Sequence, residues 1–341
     1  LKILYKRGYT TEESITDMLY GKLEKSLSLT TMQDTEKALP ILKAAVKKKQ
    51  KIVIYQDYDV DGCSAGALCL ETLRAIGADV VSYVNAREKD GYGICKNGID
   101  QIQTLYPDAT LIMTVDNGIV AHEAVAYAKS KGYIVIVTDH HLPGETLPEA
   151  DAVIDPKRKD EFYPFHELCG TGVVFKLMLA LYDYMGKDAA PVMSTVDIVG
   201  LATVADVVPL IGENRDLVRE ALRMMNDGTR PAFRIMKELT QAKEINSQYT
   251  IGFQFAPMIN ALSRMGEDSY LATETLISTD EDIIRKNVAL MIEVNKARKE
   301  ATNTQLEIAE ELLRQEIGDT DTKTMTKKER IKALPSAIIL K

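Results

Sequence analysis

Ile52-Val53-Ile54-Tyr55-Gln56-Asp57-Tyr58-Asp59-Val60-Asp61-Gly62 decides the fold. Its first four residues are apolar at every position, which suits a strand with both faces buried, as in a parallel sheet covered by helices. The acidic triplet and Gly62 come at once, where such a strand must turn into its next element. Outward from here the grammar repeats in Val80-Val81-Ser82-Tyr83-Val84, Leu111-Ile112-Met113-Thr114-Val115, Ile134-Val135-Ile136-Val137 and Ala152-Val153-Ile154. Helical patterns near 63–76, 97–105 and 120–131 separate these runs. Strands rich in Val and Ile alternating with helices predict βαβ units, hence an α/β fold with a parallel sheet flanked by helices over residues 51–168.

On the N-terminal side, residues 1–50 read as a helical segment: two or three polar-faced helices over 9–48, ending in the basic run Lys47-Lys48-Lys49-Gln50-Lys51, a solvated helix end. Beyond residue 168 the strand signal ceases. Residues 169–280 predict a helical subdomain with breaks at Pro191, Pro209, Pro231 and Pro257. Residues 281–318 carry Ile284, Val288, Met291, Val294, Ala301, Ile308 and Leu312 at helical spacing, with no Pro or Gly before Gly318. Such a helix spans roughly 50 Å, longer than a compact domain needs, and is expected to connect to another module. Residues 319–341, ending in Ala337-Ile338-Ile339-Leu340-Lys341, read as the start of a truncated second domain.

With 341 residues and 45% hydrophobic content the chain can bury one large core or two medium ones. No run of eighteen apolar residues occurs and Leu1–Gly8 is too short and polar for a signal segment, so the expectation is a soluble, cytoplasmic protein without a membrane partner. Four cysteines without a C-x-x-C pair fit neither a disulfide framework nor a zinc knuckle, and are read as reduced core thiols. A net charge of −8 argues against holding duplex DNA by bulk electrostatics, yet leaves room for a local basic groove and for carboxylates that neutralise metal.

Ligands of an open parallel sheet bind outside the carboxyl ends of its strands. Strand after strand here runs into acidic residues: Asp57, Asp59 and Asp61, then Asp116-Asn117-Gly118, then Asp139-His140-His141, then Asp155-Pro156. One such Asp is an ordinary helix cap, but four clusters on one edge would repel at a cost of several kcal/mol unless cations lie between them. Two of the chain's four histidines adjoin each other directly after a strand-end Asp. Carboxylates with one or two imidazoles suit Mn²⁺ or Mg²⁺, and the lack of Cys argues against structural zinc. A calcium loop of the EF-hand type is disfavoured because Leu68, not Glu, stands six residues after Gly62. Asp59 and Asp61 can reach a common metal pair, with Asp116 as the natural bridge. His122 and His166 lack this context and are assigned to surface or core, and spacing alone makes Asp206 a helix-end residue.

These residues resemble the DHH phosphoesterase superfamily, and within it the RecJ branch of single-strand-specific 5′→3′ exonucleases. The resemblance runs from about residue 5 to residue 300. Its motifs are Asp57–Gly62, Asn85-Ala86-Arg87 with Gly91-Tyr92-Gly93, Thr114–Gly118, Thr138-Asp139-His140-His141, Asp151–Pro156, Cys169–Val173, Ala202–Leu210, and Pro257–Ala261 ahead of Arg264-Met265. It implies that Asp59, Asp61, Asp116, His140 and Asp206 ligate two Mn²⁺ or Mg²⁺ ions with Asp57 close by, that Asp116 and His140 are catalytic through the metals, and that His141 faces the scissile phosphate. Arg87, the Gly170-Thr171-Gly172 turn and Arg264 would hold the DNA backbone, a role suited to guanidinium forks and helix N-termini. The implied activity is release of 5′-mononucleotides from single-stranded DNA in repair and recombination, with a helicase or a single-strand-binding protein as partner classes. Two rival readings are a small-substrate member acting on short oligonucleotides or cyclic dinucleotides, and a non-catalytic DNA-binding scaffold. The chain departs from the family pattern at Tyr55, where many members have His, and at Ser263-Arg264, where Gly-Arg is usual. The family's second domain (DHHA1-like) and oligonucleotide-binding barrel would follow the long helix.

Overall fold

The computed structural model describes residues 2–21, 23, 31–245 and 247–317. Strands β1 (Lys51–Gln56), β2 (Asp79–Val84), β3 (Ala109–Val115), β4 (Ile134–Thr138) and β5 (Ala152–Ile154) pair in parallel in the order β2-β1-β3-β4-β5. Because side chains alternate along a strand, the apolar run of β1 feeds two cores. Ile52 and Ile54 join Leu111, Met113 and Val115 under the helices Val60–Ala75 and Gly170–Tyr184. Val53 and Tyr55 join Ile112 and Val135 under Lys96–Leu105 and His122–Ser130. Tyr55 is fully buried on this second face and bonds to Asn85 at 2.5 Å.

The first helix after β1 begins at Val60, three residues ahead of the expected start. Asp59 caps it, accepting from the Gly62 N–H at 3.0 Å, while the Val60 N–H donates to Asn260 Oδ1 at 3.1 Å. With these end donors satisfied the turn closes early. Asp61 therefore sits in the first helical turn and not in the tight loop that the sequence suggests.

Residues 169–280 are helical as expected, with Pro191 and Pro231 in first turns and Pro209 in a connection. Pro257 is different: Gln248–Thr250, a π turn over Ile251–Phe255 and the helix Ala256–Arg264 run on through it without a break. The π slip falls directly before Pro257, whose missing N–H could not have continued the regular ladder. Arg230 ties this subdomain to the helix Val60–Ala75, bonding Glu71 on that helix at 2.5 Å and Asp197 at 2.8 Å from a site that is one-tenth exposed. Removing one partner of such a clamp costs about 3–5 kcal/mol.

The long helix runs Glu281–Ile317, 37 residues or roughly 55 Å. Ile284, Val288, Met291 and Val294 bury its first half against Pro231–Leu239 and Ala256–Arg264. Leu306, Ile308 and Leu312 in its second half are more than half exposed. The expected second-domain start at 319–341 lies outside the described residues. No helix among the described residues is long and apolar enough to cross a membrane.

Candidate metal centre

Sheet order places a topological switch between β1 and β3, since β1 leads toward β2 on one side and β3 toward β4 on the other. The crevice at their carboxyl ends is where such sheets bind ligands. Asp116 stands there with φ 62°, a left-handed conformation that Asp tolerates better than most residues. Its neighbours hold it so. Asn117 Nδ2 donates to the carbonyls of Tyr55 (3.0 Å) and Val115 (2.9 Å), and the Tyr92 hydroxyl donates to the Asp116 carbonyl at 3.0 Å. Gly170 completes the fit, because a Cβ there would lie 2.7 Å from Asp116 Cβ.

Three overlapping groups of potential ligands meet in the crevice: Asp57 with Asp59 and Asp116, Asp61 with His140 and Asp206, and Asp116 with His140 and His141; within each group the donor atoms lie within 4.8 Å of one another. All six residues expected to bind metal are therefore brought together. His140 Nε2 is 3.2 Å from Asp116 Oδ1, 3.6 Å from Asp206 Oδ2 and 3.7 Å from Asp61 Oδ2. The shortest of these approaches is not a hydrogen bond, for both nitrogens of His140, Asp116 Oδ1 and Asp57 Oδ1 are buried without a partner. Each such orphan costs about 1–3 kcal/mol unless something satisfies it. Cations do so, and an oxygen-rich set with one or two imidazoles fits Mn²⁺ or Mg²⁺.

The charges point the same way. Burial, and then the Asp59 carboxylate, push Asp57 up to about 8; burial, and then Asp61, push Asp206 up to about 7. Asp59 is raised by burial and by Asp61, and Asp116 is held well above the usual carboxylate range by burial and its acidic neighbours. Burial pushes His140 down. Alone, the crevice cannot ionise fully. Asp61 has its own support: its carboxylate accepts from the N–H groups of Gly170 (2.7 Å) and Thr171 (2.8 Å) and from the Thr171 hydroxyl (2.6 Å).

This last contact alters one expectation. The Gly170-Thr171-Gly172 turn, assigned by resemblance to DNA phosphate, is buried, and its first two N–H groups already serve Asp61. A donor so engaged is not free to grip a phosphate. Arg87 is exposed with its guanidinium 5.1 Å from the centre of the Tyr58 ring, and Arg264 is exposed at the end of Ala256–Arg264. Asp155, the fourth strand-end carboxylate, is fully buried and pushed up to about 7 by burial, but joins none of the ligand groups.

The sequence reading gave no role to Asp139. Burial opposes its ionisation, yet bonds from His141 Nδ1 (2.7 Å) and from the N–H groups of Ile119 (2.9 Å) and His140 (2.8 Å) lower it below the usual range. In return the Asp139 hydrogen bond raises His141 above its ordinary value. Tyr92, whose hydroxyl also lies 3.2 Å from His141 Nδ1, was likewise without a role. The strand-end position of Asp139 was the available signal.

Fold and site together define an open α/β protein with a carboxylate–imidazole metal centre at its switch point. Comparison with known proteins agrees. The DHH family, N-terminal domain, matches residues 51–205. The single-stranded-DNA-specific exonuclease RecJ of Escherichia coli K12 is 36% identical over 314 residues, 88% of this chain and 53% of that protein. The protein of the same name from Salmonella typhimurium LT2 is 37% identical over 277 residues, 78% of this chain and 48% of that protein. The chain thus spans about half the length of the curated relatives it matches. A crystal structure of exonuclease RecJ bound to manganese superposes with a TM-score of 0.75 at 30% identity, covering 84% of this chain and 71% of that one. RecJ from Thermus thermophilus in complex with Mn²⁺ gives 0.73 at 28% identity, over 93% and 44%. This chain belongs to the DHH family, in its RecJ group.

Proposed function

We propose that the chain carries the catalytic centre of a metal-dependent phosphodiesterase that removes 5′-mononucleotides from single-stranded DNA in the 5′→3′ direction. The observation that carries this is the meeting of three ligand groups at Asp116 and His140, where Asp116 Oδ1 and both His140 nitrogens are buried without a partner. Asp57, Asp59 and Asp116 would hold one ion and Asp61, His140 and Asp206 the other, with Asp116 between them. Two Mn²⁺ or Mg²⁺ ions supply charge to polarise a phosphate and to lower the pKa of an attacking water.

The chain's own residues do the rest. Gly170 and Thr171 aim the Asp61 carboxylate, the support by which a buried ligand is oriented. Asp139 holds the proton on His141 Nδ1 and favours the imidazolium, leaving Nε2 to donate to a phosphate oxygen. Arg87 and Arg264, both exposed, would meet backbone phosphates. The substrate follows the relatives, which carry the name single-stranded-DNA-specific exonuclease, and the 5′→3′ polarity follows the sequence resemblance alone. Helicases, which produce such strands, and single-strand-binding proteins, which coat them, are the partner classes to test.

The deciding experiment incubates the chain with 5′- and 3′-labelled single strands in Mn²⁺, Mg²⁺ or EDTA. Metal-dependent release of labelled mononucleotide from the 5′ end is the expected result. Release from the 3′ end first would overturn the polarity, and no metal-dependent product from either strand would favour the scaffold reading.

A further inference from the structure

Away from the metal centre, Tyr249 and Phe253 stack on each other with ring centroids 4.7 Å apart and planes 25° from parallel, yet stand 61% and 68% exposed. Their neighbours show that core packing does not explain them. Ile251 and Phe255, on the same short segment, are fully buried, and Phe255 stacks on Phe233. Phe253 lies within the π turn Ile251–Phe255, a rare distortion frequently found at functional sites. Beside it runs a groove rimmed by Lys296 and Lys299 and bounded by Gln254, with Lys243 beyond. The three lysines are exposed, and none has an ion-pair partner among the described residues, on a chain whose net charge is −8. Gln254 Oε1 is buried there without a partner.

We propose that Tyr249 and Phe253, with Lys243, Lys296 and Lys299, form a stacking platform for single-stranded nucleic acid, separate from the metal centre; the inference rests on the nuclease reading above. Bases have flat faces for the two rings, and phosphates take up the ammonium groups. Stacked aromatics beside a basic groove are how strands are bound without sequence preference. An apolar protein partner would leave the three ammonium groups without a counter-charge.

The platform shares one continuous helical run with a residue that touches the metal-ligand loop. The helix Ala256–Arg264 continues from the π turn, and its Asn260 receives the Val60 N–H beside the metal-ligand loop. Phe253 lies seven residues before Asn260, roughly 10 Å along the axis. On this proposal a dinucleotide held at the metals leaves the platform empty, whereas a longer strand occupies it.

The test measures binding of a fluorescein-labelled oligothymidylate of about 20 nucleotides in EDTA, alongside dinucleotide hydrolysis in Mn²⁺. Y249A/F253A should bind the long strand about tenfold more weakly or worse, Y249F/F253Y should bind as wild type, and dinucleotide turnover should not change. K296Q/K299Q should lower the slope of log K against log salt by about 1.4, two single-strand phosphate contacts. Long-strand affinity unchanged in Y249A/F253A overturns the proposal and gives the surface to protein contact. If Y249A/F253A has lost thermal stability, the lysine variant decides, and an unaltered salt slope overturns the proposal. Failure of wild type to hydrolyse any substrate would defeat the nuclease reading alone, because the binding arm needs no metal.

Discussion

Asp61 and Thr171, 110 positions apart, are joined by two short bonds: the Thr171 N–H and hydroxyl both donate to Asp61 Oδ1, at 2.8 and 2.6 Å. A helix N-terminus that elsewhere would bind an anionic ligand here holds an anionic side chain. Thr171→Val keeps shape and removes one donor. Supporting partners of metal ligands are worth about 10–100-fold in metal affinity, so the Mn²⁺ concentration for half-maximal activity should rise about tenfold, with less change at saturation. An unchanged Mn²⁺ titration would show that the hydroxyl does not support the ligand.

Asp116→Asn separates repulsion from chemistry. Asn tolerates the left-handed backbone at this position, and it removes a carboxyl that burial and acidic neighbours already keep from ionising. In EDTA the variant should melt at or above the wild-type temperature, while in Mn²⁺ the wild type should gain more. Its hydrolytic rate should fall at least about a hundredfold, as expected for loss of a ligand shared by both ions. Retention of a tenth of wild-type turnover at saturating Mn²⁺ would remove Asp116 from the bridging position.

Metal-free stability should fall as pH rises. Asp57 titrates at about 8 in the folded chain and near 4 when unfolded, so the folded state holds the extra proton. A raised folded pKa gives stability that is complete below the unfolded value and is lost through the folded one. From about pH 7 to pH 9 Asp57 alone removes about 1.4 kcal/mol. His140, pushed down, acts in the opposite sense only below its ordinary value near 6.5 and so leaves this window clear. Chemical denaturation in EDTA at the two pH values measures the loss. Excess Mn²⁺ should cancel or reverse it, and equal stability at both pH values without metal would mean that the carboxyls are not crowded as described.

Asp139→Asn tests the second histidine. Its hydrogen bond is the main cause of the raised His141 pKa, so the alkaline fall of kcat/KM that accompanies loss of the imidazolium should move to lower pH. A profile that drops in height without moving would make Asp139 a structural anchor for the Ile119 and His140 backbone and no more.

Much of this site could be read from the chain because it is built on strand ends. An apolar run such as Ile52–Tyr55 fixes where the strand stops, and Asp57, Asp116 and His140 come after their strands in known order. The parts that could not be read depend on contacts between distant segments. The turn at Gly170 looks like a free anion site until the fold brings Asp61 against it, and Pro257 looks like a break until the π turn absorbs it. Asp206 reads as a helix end, which it is, as the C-cap of Val196–Ala205. Only the packing of that helix brings it 3.6 Å from His140. Phe253 and Phe255 differ by two positions and have opposite fates, which no local pattern distinguishes.

Anomalous diffraction from crystals soaked in Mn²⁺ tests the two-metal centre most directly. Two peaks roughly 3.5–4 Å apart are predicted, one among Asp57, Asp59 and Asp116 and one among Asp61, His140 and Asp206. A single peak, or a pair that leaves Asp116 outside ligand distance of both, would contradict a two-metal centre bridged by Asp116.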